Sequence, residues 1–521
     1  MELKIKIYQI SVLVLYLSSI SETKSILAVF PTPSISHQLV FRSLVQALVK
    51  RGHEVTTITT DPEHPKGRSP QNLTEIDVHD ISYNIWKQFV EGTDKGTADS
   101  LVEQIKMGYS LLSLIFEAQV KTPEVHKLLS NKERKFDLII MEHCVRLALS
   151  FSYVYDAPVI EISSMGGLVG TFEAVGAASH PLIYPLSFLK GFHNFNIWDK
   201  ILQINLYYKY NSFYKTLEIS DNMILKNLFG PNIPDLADLK KNSHVLFLNV
   251  HPIWDLNRPV PSNVVYLGGI HQRQSKELPK NLKNHLDSTK NGVIYISFGT
   301  NVKPSLLPAE KLKIFTNVFS KLPYDVLWKW DTDKLPDCPE NVKIAKWYPQ
   351  SDLLKHPNIK LFITQGGLQS TDEAITAGVP LIGVPMLADQ WYNGDQYAKH
   401  NIGLKLDLET VTEKELLEAI ETVVSNSSYR ENVLKLRTIM NDQPLSPLER
   451  AVWWTEHVLR HKGASHLKAN GVDMDWTEYY ELKLILFFVL ILLISLLMLG
   501  LMIYCFIVKL NKKVNLKVKN N

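Results

Sequence analysis

The stretch Trp347–Gln390, WYPQSDLLKHPNIKLFITQGGLQSTDEAITAGVPLIGVPMLADQ, carries the reading that decides the fold. Within it Leu361–Thr364 (LFIT) is short and apolar, the pattern of a parallel strand covered on both faces. Gly366-Gly367 turns the chain, and Ser370-Thr-Asp-Glu373 opens a helical pattern that ends near Ala377-Gly378. Pro380–Pro385 (PLIGVP) reads as a second buried strand, with Ala388-Asp389-Gln390 at its mouth. A strand, a glycine turn and a helix start aim backbone N–H groups and the positive helix end at one point, which makes an anion site. Glu373, read as lying three residues into that helix, is placed to accept two ribose hydroxyls. Trp347 offers a flat face for a base, and Gln350 offers an amide for its polar edge. A nucleoside diphosphate carrying a sugar satisfies all of these groups at once.

Outward from this window, strands alternate with helices. Ile26–Phe30 (ILAVF) reads as a strand, followed by a loop, a helix from about His37 to Lys50 and a strand EVTTIT. Phe136–Met141 (FDLIIM) and APVIEIS repeat the unit, and a second set runs GVIYISFGT, a helix over Pro308–Leu322, DVLWKW and the window itself. This is a doubly wound α/β pattern, in which ligands belong at the carboxyl ends of the strands. Polar residues rich in Lys and Asn over 269–291 mark a linker. Ser446-Pro-Leu-Glu449 supplies an N-cap, a proline in the first turn and a capping-box glutamate. The helix it opens should return to the folded body; its Trp453-Trp454 pair suits core packing better than contact with a bilayer.

The spacing W-x2-Q-x3-L-x-H-x5-F-x2-[H/Q]-x-G-x5-E-x4-G-x-P-x4-P-x3-D-Q is matched by Trp347, Gln350, Leu354, His356, Phe362, Gln365, Gly367, Glu373, Gly378, Pro380, Pro385, Asp389 and Gln390. It resembles the donor-site signature of the UDP-glycosyltransferases. The resemblance extends along almost the whole chain and is greatest to membrane-bound animal, arthropod-like members. It implies the GT-B architecture: two Rossmann-like domains facing across a cleft, with one C-terminal transmembrane helix. The corresponding division is a signal peptide over 1–24, an acceptor-binding domain over 25–268, the linker 269–291 and a UDP-sugar-binding domain over 292–445. A return helix and membrane-proximal segment follow over 446–483, then a transmembrane helix over 484–508 and a cytosolic basic tail over 509–521.

The resemblance also implies an inverting, metal-independent transfer of a hexose to a hydroxyl of a small lipophilic acceptor. An acceptor hydroxyl attacks poorly until it is deprotonated. His37 matches the family's base position, at a helix start that disfavours a protonated imidazole; a lone histidine there would otherwise read as a cap or a merely exposed residue. Glu142 aligns with the aspartate that orients the base in relatives, one methylene longer; a plain strand-end charge is the bland alternative. Ser297, Gly299, Thr300, Gln365, Gly367, Gln369 and Ser370 would serve the donor phosphates, electrostatically doing what a cation would. Gln365 departs from the histidine of many relatives, so it donates without carrying charge. Asp389 and Gln390 would meet the sugar hydroxyls. Vertebrate glucuronosyl relatives place an arginine where VLFLNVHP here offers Asn249, so UDP-glucose is favoured over UDP-glucuronate. The aromatic run Phe188–Tyr214 is a candidate acceptor wall, though a core helix would have the same composition.

No cofactor and no metal are expected. The DxD sequences Asp331-Thr-Asp333 and Asp473-Met-Asp475 read as solvated loops. With 56 basic and 53 acidic side chains the net charge is +3, so nothing points to nucleic acid. Cys144 and Cys338 lie in different halves, which argues against a disulfide. Lys4 and Lys6 precede an apolar run and a polar boundary, the pattern of a secretory signal. Leu484–Val508 is long enough to cross a hydrocarbon layer of ~30 Å. Acidic residues before it and lysines after it place the tail in the cytosol and the rest in the lumen, a single-pass type I arrangement. Lys517 and Lys519 resemble an endoplasmic-reticulum retrieval signal or a basic stop-transfer flank. Asn72-Leu-Thr and Asn426-Ser-Ser are sequons for N-glycosylation. Self-association is left open. Detoxification and the conjugation of pigments or hormones are not distinguished. The rival readings are a silent UDP-sugar or lipophile binder that kept the fold, and a transferase acting on membrane lipid.

Overall fold

The central strands are short apolar runs buried on both faces, while edge strands such as those at Leu73–Asp77 and Val342–Ala345 are partly exposed. The computed structural model describes residues 23–92, 101–168, 170–177, 180–185, 196–472, 474 and 476–519. The first sheet is built from β1 (Ser25–Phe30), β2 (Glu54–Thr59), β3 (Leu73–Asp77), β4 (Leu138–Glu142), β5 (Val159–Ser163), β6 (Ser243–Leu248) and β7 (Val264–Tyr266). Its order is β3-β2-β1-β4-β5-β6-β7, and every pairing is parallel. The second contains β8 (Val293–Ser297), β9 (Asp325–Lys329), β10 (Val342–Ala345), β11 (Ile359–Thr364), β12 (Leu381–Gly383) and β13 (Gly403–Lys405). Its order is β10-β9-β8-β11-β12-β13, again parallel throughout. Chain order reverses direction between β1 and β4 in one sheet and between β8 and β11 in the other. These are the switch points where the strand ends leave a crevice.

Helices cover both faces. Phe41, Leu44 and Leu48 of the helix Ile35–Lys50 pack on Ala28 and Phe30, while Phe315 and Phe319 of the helix Ala309–Ser320 pack on Ile296 and Trp328. Each such fully buried aliphatic or aromatic side chain contributes roughly 1.5–3 kcal/mol. The stretch 269–291, read as a polar linker, contains the helix Lys280–Ser288. It is fastened down as well: Arg273 and Ser275 side chains and the Lys276 N–H all donate to Asp352.

The helix Pro447–His461 forms as its capping box demands, with Ser446 and Glu449 exchanging hydrogen bonds. Its Ala451, Val452, Val458 and Leu459 join the core of the first sheet, so the chain crosses back after completing the second. Trp454 packs partly against that core, and Trp453 stays exposed. The large unit ends at Lys468. A second unit, Ala469–Asn521, contains the helix Trp476–Tyr479 and the helix Leu482–Lys519. Leu482–Lys513 is long and apolar enough to cross a membrane and encloses the expected span 484–508. The signal-peptide reading (all but its last two residues), Asp473, Asp475 and the side chains of Lys517 and Lys519 lie outside the described residues.

Candidate active site

The two switch points open into one cleft of about 470 Å³. His37, Glu142, Ser297, Gly299, Thr300, Trp347, Gln350, Gln365, Gly367, Gln369, Ser370, Glu373, Asp389 and Gln390 all line it. The first-sheet side supplies the pair His37 and Glu142. The helix after β1 starts at Ile35, two residues earlier than the sequence suggested, so His37 sits inside its first turn. Glu142 closes β4 and is 1 % exposed. Its Oε2 accepts the Thr32 N–H at 3.1 Å, and its Oε1 accepts from His37 Nδ1 at 2.7 Å and from the Cys144 thiol at 3.3 Å. Those bonds fix the carboxylate against Nδ1 of the ring; with the proton on Nδ1, Nε2 is the basic nitrogen of a neutral imidazole.

The second-sheet side is a set of committed polar groups. Gln350 Nε2 donates to Ser370 Oγ at 2.9 Å and Glu373 Oε2 at 2.8 Å, while its Oε1 accepts from the Tyr295 hydroxyl at 3.1 Å. Its amide therefore holds Ser370 and Glu373 in place, at the position where the sequence reading put an amide for the polar edge of a base. The helix opened by Gly367 starts at Leu368, so Glu373 lies a turn in, deeper than the sequence suggested. Burial pushes its carboxyl up, opposed by the Gln350 hydrogen bond. Gly299 takes φ 75°, and a Cβ there would lie 2.1 Å from Gln365 Nε2, so only glycine lets this amide approach the turn. Gln365 Oε1 is buried and has no partner among the described residues.

After β12, Gln390 turns its Oε1 to the Met386 and Leu387 N–H groups, holding the loop. Asp389 accepts from Asn393 Nδ2 at 3.0 Å. Burial pushes its carboxyl up to about 6, with the Asn393 bond and the charge of nearby His37 opposing. Gln369 Nε2 donates to Ser164 O at 2.8 Å and Asn301 Nδ2 to Ser34 Oγ at 3.2 Å, so polar contacts cross the cleft between the two sheets.

Several groups escaped the sequence reading. Lys329, the last residue of β9, places its Nζ 4.7 Å from the centre of the Trp347 ring and donates to Gly299 O at 2.7 Å. Burial pulls it down to about 8 against the pull of Asp331. Arg273 and His271 also line the cleft. The signal for Lys329 was its place at the end of a strand beside the switch point.

The far end of the cleft is apolar: Leu39, Trp86, Ile105, Tyr109, Leu112 and Leu168. Residues 188–195 of the expected acceptor wall lie outside the described residues; none of residues 196–214 lines the cleft, which corrects that part of the expectation. That part belongs to the helix Ile197–Phe229, whose Tyr210 and Tyr214 pack behind Tyr109 as a core face. Asn249 is corrected too. It is 1 % exposed, bonded to Ser164 O and outside the cleft lining, so its neutrality says nothing about the sugar. Arg258 pairs with Asp255 and stacks on Phe172 and Tyr184.

His37, Glu142 and Cys144 are the group among the described residues whose ligand atoms all lie within 4.8 Å of one another. Burial and the neighbouring Glu142 carboxylate hold the Cys144 thiol well above its usual range. Asp331 takes the Ser305 N–H and hydroxyl, and Asp333 pairs with Lys346 at the surface, so the first DxD is a held turn away from the cleft. Asn72 spends its amide on the Val49 and His53 carbonyls, whereas Asn426 is an exposed N-cap that uses only its oxygen. Cys144 and Cys338 are free.

A family model described as UDP-glucoronosyl and UDP-glucosyl transferase matches residues 25–519. An ecdysteroid UDP-glucosyltransferase of Spodoptera littoralis nuclear polyhedrosis virus is 39 % identical over 479 residues, 88 % of this chain and 93 % of that one. UDP-glucosyltransferase 2 of Dactylopius coccus is 31 % identical over 503 residues, 95 % of this chain and 93 % of its own. Among solved structures, Arabidopsis thaliana UGT89C1 complexed with UDP-L-rhamnose superimposes with a TM-score of 0.57 at 17 % identity, covering 84 % of this chain and 99 % of that chain. The glycotransferase of kitacinnamycin gives 0.55, also at 17 % identity, over 85 % of this chain and 99 % of that chain. At that identity these two likenesses carry the fold alone, the GT-B pair of Rossmann-like sheets.

Proposed function

The chain belongs to the UDP-glycosyltransferase family, enzymes that move a sugar from a UDP-sugar, and we propose that it transfers glucose to a hydroxyl of a small lipophilic acceptor with His37 as general base. The observation that carries this reading is the 2.7 Å bond from His37 Nδ1 to the buried Glu142, made in the cleft that Asp389 also lines. The acceptor hydroxyl gives its proton to His37 Nε2 as its oxygen bonds to the anomeric carbon. The bond from that carbon to the phosphate oxygen breaks on the opposite face, so configuration inverts. Glu142 stabilises the imidazolium that forms, and the base contributes ~10²–10⁴-fold.

UDP departs with increased negative charge. N–H groups at the Gly366-Gly367 turn, the Ser370 hydroxyl, the Gln365 amide and Lys329 are the donors on hand, a metal-independent arrangement. Trp347 takes the uracil and Glu373 the ribose. Asp389 supports a neutral hexose, since an anionic acceptor there meets sugar hydroxyls well and a sugar carboxylate poorly. The names of the viral and insect relatives support glucose in the same direction. The apolar far end supports a rigid lipophilic alcohol such as a steroid.

We place the cleft in the lumen of the endoplasmic reticulum, with Leu482–Lys513 anchoring the chain as a type I protein and Asn426 as the sequon open to glycosylation. The test of donor and acceptor together is a panel of steroids, phenols and ceramide-like lipids incubated with labelled UDP-glucose or UDP-glucuronate. Glucosylation of steroids or phenols is the expected result. Glucuronidation alone, or transfer to ceramide alone, would overturn the donor or the acceptor assignment.

A further inference from the structure

The helix Pro447–His461 ends in Trp453-Trp-Thr-Glu-His457-Val-Leu-Arg-His461, and the turn Ser465–Leu467 adds His466. None of these residues lines the cleft. His457 and His461 stand at i and i+4, which places them one above the other on a single helix face. Lys462 (φ 53°) and Gly463 (φ 124°) then reverse the chain and bring His466 over that face. The turn is built rather than loose: Ala464 is fully buried, its N–H donates to His244 Nδ1 at 3.1 Å, and a Cβ on Gly463 would press on the His244 ring at 2.9 Å.

The three imidazole rings are neighbours, with one close nitrogen pair between them. Ring centres lie 4.5 Å apart for His457 and His461, 5.4 Å for His457 and His466, and 5.8 Å for His461 and His466. His457 Nε2 and His466 Nε2 face each other at 3.3 Å. A tetrahedral ion bound through nitrogens at about 2.0–2.1 Å holds two of them about 3.3–3.4 Å apart, so this separation is already that of a tetrahedral edge. Arg460, on the same helix, leans toward Glu456 and the Trp453 ring.

We propose that His457, His461 and His466 form a binding site for a transition-metal dication of the zinc type, separate from the catalytic cleft. His457 and His466 supply the preformed edge, and exposed His461 completes three ligands by a side-chain rotation, leaving water in the fourth position. Imidazole nitrogens select zinc, nickel or copper over magnesium or calcium, which prefer oxygen. The bound ion fastens the turn Ser465–Leu467 to the helix at the point where the large unit ends.

The test is calorimetric titration of the purified full-length chain in detergent with ZnCl2, and in parallel with MgCl2. One zinc per chain with micromolar affinity, and no heat from magnesium, is the expected result. His457→Gln and His466→Gln should each weaken binding ~10-fold or more, and zinc should raise the melting temperature of the wild type but not of His466→Gln. His37→Ala and Cys144→Ser should leave the zinc isotherm unchanged. Wild-type affinity in His466→Gln, zinc uptake lost with His37 or Cys144, or no zinc heat at all would overturn the site. His461→Gln, an exposed position, repeats the test if either other histidine variant misfolds.

Discussion

In our proposal Asp389 does two things that conflict. An ionised carboxylate accepts from sugar hydroxyls more strongly than the neutral acid does, yet burial holds this one up to about 6. With the folded value above the unfolded one, protonation favours the folded state, and that share of stability is lost as pH rises through about 6. Sugar recognition runs the other way, gained as the proton leaves. UDP-glucose affinity divided by UDP affinity should therefore fall ~10-fold between pH 7.5 and pH 5, and Asp389→Asn should flatten the ratio. Glu373, also pushed up, is assigned to the ribose that both ligands share, so on that assignment it cancels from the ratio. A ratio in the wild type that ignores pH would show that Asp389 does not meet the sugar.

Trp347 exposes 61 % of its surface, with Lys329 against the ring, and in our proposal that open face takes the uracil. Base stacking on an aromatic face is worth ~1–3 kcal/mol in single-strand nucleic-acid sites, a scale that transfers to uracil. Trp347→Ala should raise the donor KM about ten-fold or more, with Glu373→Ala similar. Unchanged UDP binding in both variants would move the nucleotide elsewhere.

At the scale of elements, the strands of the second sheet were legible because a parallel strand buried on both faces has no choice but an apolar run: LFIT and PLIGVP read directly as β11 and β12. The helix between them was read two residues late, since Gly367 caps it from the backbone and Leu368-Gln369 give no capping signal. That offset hid Gln350's grip on Glu373. Pairing between elements was the least legible layer. The aromatic helix Ile197–Phe229 has the composition of a pocket wall, and only packing shows it standing behind Tyr109. A strand-end lysine such as Lys329 looks solvated until strand order puts β9 beside β8. The return helix was legible throughout because its capping box is local. Ser446→Ala should cost ~1 kcal/mol of stability, seen as a lower melting temperature with donor KM unchanged; a changed KM would mean that this helix shapes the cleft.

At the scale of the molecule, two parallel sheets bring their switch points to one cleft, and Trp254 joins them through Asn393 at 2.8 Å and through the Tyr392 hydroxyl. The chain then ends in an apolar helix by which it is anchored in our proposal. Protease added to sealed microsomes should trim only the residues after Lys509, and a chain ending before Leu484 should still bind UDP. Digestion of the large unit from outside would reverse the proposed orientation.

The central claim is that His37, oriented by Glu142, takes the proton from the acceptor. Its most direct test is the single-turnover rate of glucose transfer in wild type and His37→Ala, with UDP affinity measured on the same samples. The account predicts a rate lowered by ~10²-fold or more and UDP affinity within a few fold of wild type. Undiminished transfer in His37→Ala would contradict it.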